Sequence, residues 1–227
     1  MKTGSIGRRE AIAAMGAAGA AFAFGCSDSP TNPGDTTGVT GTNSACAVTP
    51  TETAGPFPSL VDLFRSDIRD GKPGALLTLT VKVVNVSNNC TGVANANVEI
   101  WHVDAAGNYS QYGTQSGQTY LRGIQTTNSN GEVIFTTIYP GWYAGRATHI
   151  HVEVTINGRS VKVTQIAFPE SVNATVHSAG VYGSRGTNPM SNAADGIFAD
   201  SLSSELVTPM GDATNGYAAS FQVGIAA

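Results

Sequence analysis

At 227 residues the chain has room for one domain of ordinary size. A formal net charge of -4, with only 12% of residues charged, offers no basic stripe to neutralise phosphates and argues against a nucleic-acid partner. The 27 glycines, set among frequent Val, Thr, Ile and Asn, favour β structure with many loops over a helical bundle.

The opening "MKTGSIGRREAIAAMGAAGAAFAFGCSDSP" is polar and basic at Arg8 and Arg9, apolar from Ala11 to Phe24, and ends on Gly25 and Cys26. The apolar run falls short of the ~20 residues that a membrane span needs, so residues 1–25 read as an export signal. The paired arginines resemble a twin-arginine signal, whose route carries proteins already folded. "AFGC" resembles a lipoprotein cleavage site, which makes Cys26 the expected lipid anchor and the periplasm or cell surface the expected location. Residues 26–44, almost wholly Ser, Thr, Gly, Pro, Asn and Asp, read as a flexible tether, and residues 45–227 as the domain. With Cys26 committed to lipid, Cys46 and Cys90 remain as an even pair in an oxidising compartment. A disulfide is the expected use, with two separate thiols as the alternative.

Within the domain, "ALLTLTVKVVNV" from Ala75 alternates like a strand and ends in the turn cluster "SNNC". "ANVEIWHVD" from Ala96 is the next strand. "EVIFTTIYP" from Glu132 follows the turn "NSNG" and reads as the second strand of a hairpin. "HIHVEVTING" and "RSVKVTQIAF" form a further hairpin about Asn157-Gly158. Residues 170 to 212 lack alternation and read as loop with a short helix or two, and "FQVGI" as a last strand. Strands at short intervals, without a helical period between them, predict an all-β sandwich with long loops and a few short helices.

On a strand, residues i and i+2 share a face, so His149 and His151 of "RATHIHVEV" project together while Ile150, Val152 and Val154 face the core. Two imidazoles on one face suit a transition metal, but a His-x-His pair alone is equally a polar pair on a wet face. Tyr143 and Arg146 stand on the bent loop that leads into this strand, and Tyr109 follows the turn "DAAGN"; by spacing alone either tyrosine is an ordinary half-buried aromatic. Asp104 is expected to cap its turn, Trp101 to pack in the core, His102 to be structural and His177 to lie at the surface. Asn173 opens a glycosylation sequon.

Four phrases in order, "TETAGPFP", "GVANANVEIWHVDAAGNYSQY", "FTTIYPGWYAGRATHIHVEV" and "TQIAFP", resemble the intradiol ring-cleavage dioxygenases, and the likeness spans about residues 46 to 170. It is nearest to the exported, single-domain members, because the chain has no room for the helical N-terminal domain of the catechol 1,2-dioxygenases. The resemblance implies a β-sandwich holding a non-haem ferric ion, Fe(3+), on Tyr109, Tyr143, His149 and His151. It implies that Arg146 and Gln165 flank a bound catechol, and that Tyr143 accepts a substrate proton. Dioxygen is then the second substrate, and a muconate-type dicarboxylic acid the product of a cut between the two hydroxylated carbons. Family members often assemble, so a homo-oligomer is expected, although no stretch marks an interface. The loop from Tyr143 to His149 is shorter than in the protocatechuate enzymes, which leaves the pocket's shape open. Two other readings remain: a transthyretin-like binding module without catalysis, and a zinc or copper enzyme that uses the histidine pair.

Overall fold

The computed structural model describes residues 46–226; the expected signal, the tether and Cys26 lie outside the described residues. In chain order the strands are β1 (Leu76–Asn85), β2 (Thr91–Gly92), β3 (Asn97–Trp101), β4 (Arg122–Thr126), β5 (Glu132–Ile138), β6 (His149–Ile156), β7 (Arg159–Ala167), β8 (Met210–Asp212) and β9 (Gly216–Ile225). Two short helices, α1 (Glu170–His177) and α2 (Leu202–Glu205), interrupt the stretch between β7 and β8. Among the described residues no helix is long and apolar enough to cross a membrane.

The chain is an all-β sandwich. In one sheet β1 lies between β9 on one side and β2 and β5 on the other, with β8 beyond β9. The second sheet runs β4-β3-β6-β7. Alternation in β1 buries Leu77, Leu79, Val81 and Val83 against Ile150, Val152 and Val154 of β6, with Phe135 of β5 and Phe221 of β9 in the same apolar core. The turn at Asn157 (φ 51°) and Gly158 (φ 74°) gives the left-handed backbone that closes β6 onto β7. Cys46 and Cys90 are bonded, with Cα atoms 5.7 Å apart, which ties the start of the domain to the turn after β1.

The pairing corrects one sequence expectation and lengthens another, the last strand, which is present. The strand after "NSNG" is not the return of a hairpin: β5 pairs with β1, whereas the preceding β4 pairs with β3 in the other sheet. The turn at Asn128–Gly131 therefore carries the chain from one layer to the other. The last strand extends over Gly216–Ile225 and lies parallel to β1, from Leu77 opposite Tyr217 to Asn85 opposite Ile225. Neither pairing is encoded locally, since each depends on which distant strand is free to accept the hydrogen bonds.

Candidate metal centre and active site

The site stands on the outer face of the second sheet. Arg122, Trp101, His151 and Gln165 lie directly opposite one another on β4, β3, β6 and β7, so their side chains form one row across it. Trp101 stacks on His151, with ring centres 4.8 Å apart and planes 3° from parallel. It is thus buried beside the site, with Val103 and Tyr109, rather than in the core between the sheets.

Neither histidine is on a wet face: His149 and His151 are 3% and 1% exposed. The loops covering them include the one that bears Gly55, whose φ of 68° favours glycine and at which a Cβ would stand 3.2 Å from His151 Cε1. His149 Nδ1 lies 2.6 Å from the carbonyl of Ala147 and must donate to it, so its Nε2 carries a lone pair. That atom is 3.2 Å from His151 Nε2 and 3.4 Å from Tyr109 Oη. Tyr143 completes the group: its ring is 5.7 Å from those of Tyr109 and His149.

Burial dominates the titration of His149, His151 and Tyr109. It pulls His149 down to about 3, helped by Arg146, and holds His151 well below the usual imidazole range, helped by His149. Both rings are therefore neutral, the state in which imidazole ligates. Burial also raises Tyr109 well above the usual phenol range, and neighbouring Tyr143 raises it further. Among the described residues no three His, Cys, Asp or Glu side chains cluster as ligands. With the two phenols counted, the convergent nitrogens and oxygens form an N2O2 donor set suited to a transition metal.

Arg146 and Gln165 meet beside this group. The guanidinium donates to Gln165 Oε1 at 2.6 Å and to Asp195 Oδ2 at 2.8 Å, and Gln165 donates in turn to the carbonyl of Thr53 at 2.8 Å. Sequence reasoning missed Asp195, which also accepts from the backbone of Ala147 at 2.7 Å. It lies in the irregular stretch after α1, where nothing local distinguishes it. On the open side, Phe57, Tyr109, Tyr112 and Tyr143 line a cleft of about 250 Å³. Phe57 stacks on Tyr109 at 4.8 Å, and Tyr112 Oη donates to the carbonyl of Pro58 at 2.7 Å.

The remaining candidates are structural. Both ring nitrogens of His102 are engaged, by Thr137 Oγ1 at 2.8 Å and the carbonyl of Val103 at 2.9 Å. Asp104 caps its turn at the backbone of Ala106 and Asn108 and pairs with Lys72. His177 is fully buried rather than at the surface, because the end of α1 packs it against the carbonyl of Pro140. Asn173 is buried too and bonded to Tyr139 and Phe168, so its amide is not presented for glycosylation.

A family model described as dioxygenase matches residues 57–179, more than half of the chain and the stretch that carries all four convergent side chains. The chain belongs to the intradiol ring-cleavage dioxygenases. An intradiol ring-cleavage dioxygenase from Tetranychus urticae is 30% identical, with a TM-score of 0.70 over 79% of this chain and 94% of that one. The dioxygenase domain of a carbohydrate-binding fusion protein from Streptomyces sp. SirexAA-E is 26% identical, with a TM-score of 0.60 over 79% and 98%. Chlorocatechol 1,2-dioxygenase from Rhodococcus opacus is 26% identical over 121 residues, 44% of this chain and 46% of the relative, so the match spans under half of that protein's length.

Proposed function

We propose that this dioxygenase cleaves a catecholic ring between its two hydroxylated carbons, using dioxygen at a non-haem ferric ion and releasing a muconate-type dicarboxylic acid. The observation that carries this reading is the meeting of His149 Nε2, His151 Nε2 and Tyr109 Oη in a buried site, with Tyr143 beside them. Neutral imidazoles with inward lone pairs fit a cation, and phenolate oxygen from Tyr109 and Tyr143 favours ferric over ferrous iron. The chemistry a ferric ion would supply there is withdrawal of electron density from a bound catechol, which would open the ring to dioxygen.

The chain's own groups do the rest. Tyr143, half-buried at the cleft, takes a hydroxyl proton from the substrate onto its Oη. Phe57 and Tyr112 wall the ring and keep water from it. Arg146, held by Asp195 and aimed by Gln165, faces negative charge that develops on the ring.

The deciding experiment is the visible spectrum and iron content of the purified domain under nitrogen, before and after catechol, followed by admission of air. The expected result is a red-brown tyrosinate band with near-stoichiometric iron, shifted by catechol, and a ring-opened diacid once air enters. A colourless protein that stays colourless after ferric reconstitution overturns the reading; zinc or copper in its place would favour hydrolytic or other redox chemistry.

We also infer that residues 1–25 direct export and that a lipid on Cys26, through the tether at 26–44, holds the enzyme in the periplasm or at the cell surface. Mass spectrometry of membrane-extracted protein is expected to find a lipid-modified cysteine at position 26 as the first residue, and a chain cut elsewhere would refute this.

A further inference from the structure

Arg122 is a buried charge with no carboxylate in salt-bridge contact among the described residues. It is fully buried where β4 begins, and forms none of the ion pairs found among the described residues. Its contacts are neutral: Nε donates to Ser110 Oγ at 2.9 Å, one terminal nitrogen to the carbonyl of Ser110 at 2.8 Å, and the other to the carbonyl of Phe57 at 3.0 Å and to Ser59 Oγ at 3.3 Å. Glu99, on the neighbouring strand, attracts the guanidinium electrostatically but forms no ion pair with it. The contrast with Arg146, which is neutralised by Asp195, is direct.

A guanidinium buried without a salt-bridge partner is costly to desolvate, so its retention calls for a use. Its fork joins two segments far apart in sequence, which Tyr112 Oη to the carbonyl of Pro58 and the backbone of Leu60 to Gln111 Oε1 also tie together. One carries Ser110, next to Tyr109; the other carries Phe57, whose ring lies on Tyr109. The guanidinium carbon is also 5.7 Å from the ring centre of Tyr109 and 5.5 Å from that of Tyr112, both of which line the cleft.

We propose that Arg122 is a positioning residue for the dioxygenase: its planar fork sets Tyr109 and the Phe57 wall at a fixed separation, and its charge is the permanent cation beside the Tyr109 ring. This rests on the function proposed above. Lysine keeps the charge but cannot reproduce four bonds in one plane, so Arg122→Lys isolates the fork from the charge.

The test compares the parent, Arg122→Lys and Ser110→Ala, the last removing the Nε acceptor together with the Oγ donor to the carbonyl of Tyr120. For each, ferric-ion affinity is measured by competition with a chelator, along with the position of the tyrosinate band and the separate KM and kcat for catechol. The expected result for Arg122→Lys is a 10- to 100-fold loss of ferric affinity, a displaced band and a raised KM. Ser110→Ala is expected to move the same three quantities in the same direction by less, and it decides the matter if the lysine variant does not fold. Folded variants that match the parent in affinity, band and KM overturn the role of Arg122. A parent without any band overturns both this role and the function on which it rests, so the two failures are told apart by which protein shows them.

Discussion

Strand β6 presents two faces that obey opposite rules. The inner face, Ile150, Val152 and Val154, is satisfied by contact alone and closes against the other sheet. The outer face carries His149 and His151, equally buried, yet their Nε2 atoms meet each other and no protein hydrogen bond settles both. Burial by itself does not mark a site, since His102 is just as buried and has both nitrogens occupied. The distinguishing feature is polar groups aimed at one point with nothing of the protein there to receive them.

That contrast can be broken at several places. The largest effect is expected from His151→Ala, which should abolish bound iron and ring opening while the metal-free domain still folds, as judged by circular dichroism and iron analysis. On the inner side, Phe135→Ala should cost about 3–5 kcal/mol in denaturant unfolding yet leave the iron content of folded molecules unchanged. Loss of iron in that variant would mean the two faces are not separable.

A carboxyl at the edge of β7 sharpens the picture further. Glu205 is fully buried and held by Thr164 and Ser201, and burial raises it to about 7 from 4.5. Because the folded state holds this proton more tightly than the unfolded chain, its contribution is complete below about pH 4.5 and is lost as pH rises to about 7. Stability should therefore fall by about 3 kcal/mol across that window from this group, and Glu205→Gln should remove the slope in unfolding measured from pH 5 to 8. The smallest effect is expected from Asp195→Asn, which frees Arg146: a loss of 10- to 100-fold in kcat with iron retained. An unchanged kcat would remove Asp195 from the site.

What could be read from the sequence follows from the range of the forces involved. The hairpin of β6 and β7 was legible because alternation and Asn157-Gly158 are local signals, and the alternation of β1 likewise. His149 and His151 drew attention through their i, i+2 spacing on a strand, whereas Tyr109 and Tyr143 did so only through motifs, since Tyr109 stands far from the others in the chain and a tyrosine alone says little. Arg122 and Asp195 were silent. Each gains its meaning from partners dozens of residues away, Phe57 for one and Arg146 for the other. The same holds for His177, whose burial depends on where α1 docks, and for β5, whose partner is chosen by the layer it reaches.

The parallel pairing of β9 with β1 has a consequence for biosynthesis. The sheet that bears the histidines uses only residues 97 to 167, so every strand of it exists before the chain is finished. Its counterpart cannot close until Gly216–Ile225 has been made, because β1 waits in mid-sheet for a neighbour that ends at Ile225. While β9 is still inside the ribosome, the nascent domain holds β1 with one flank unpaired. Completion of the fold therefore waits for β9 to emerge, and removal of that strand should be lethal to the whole domain rather than to its end.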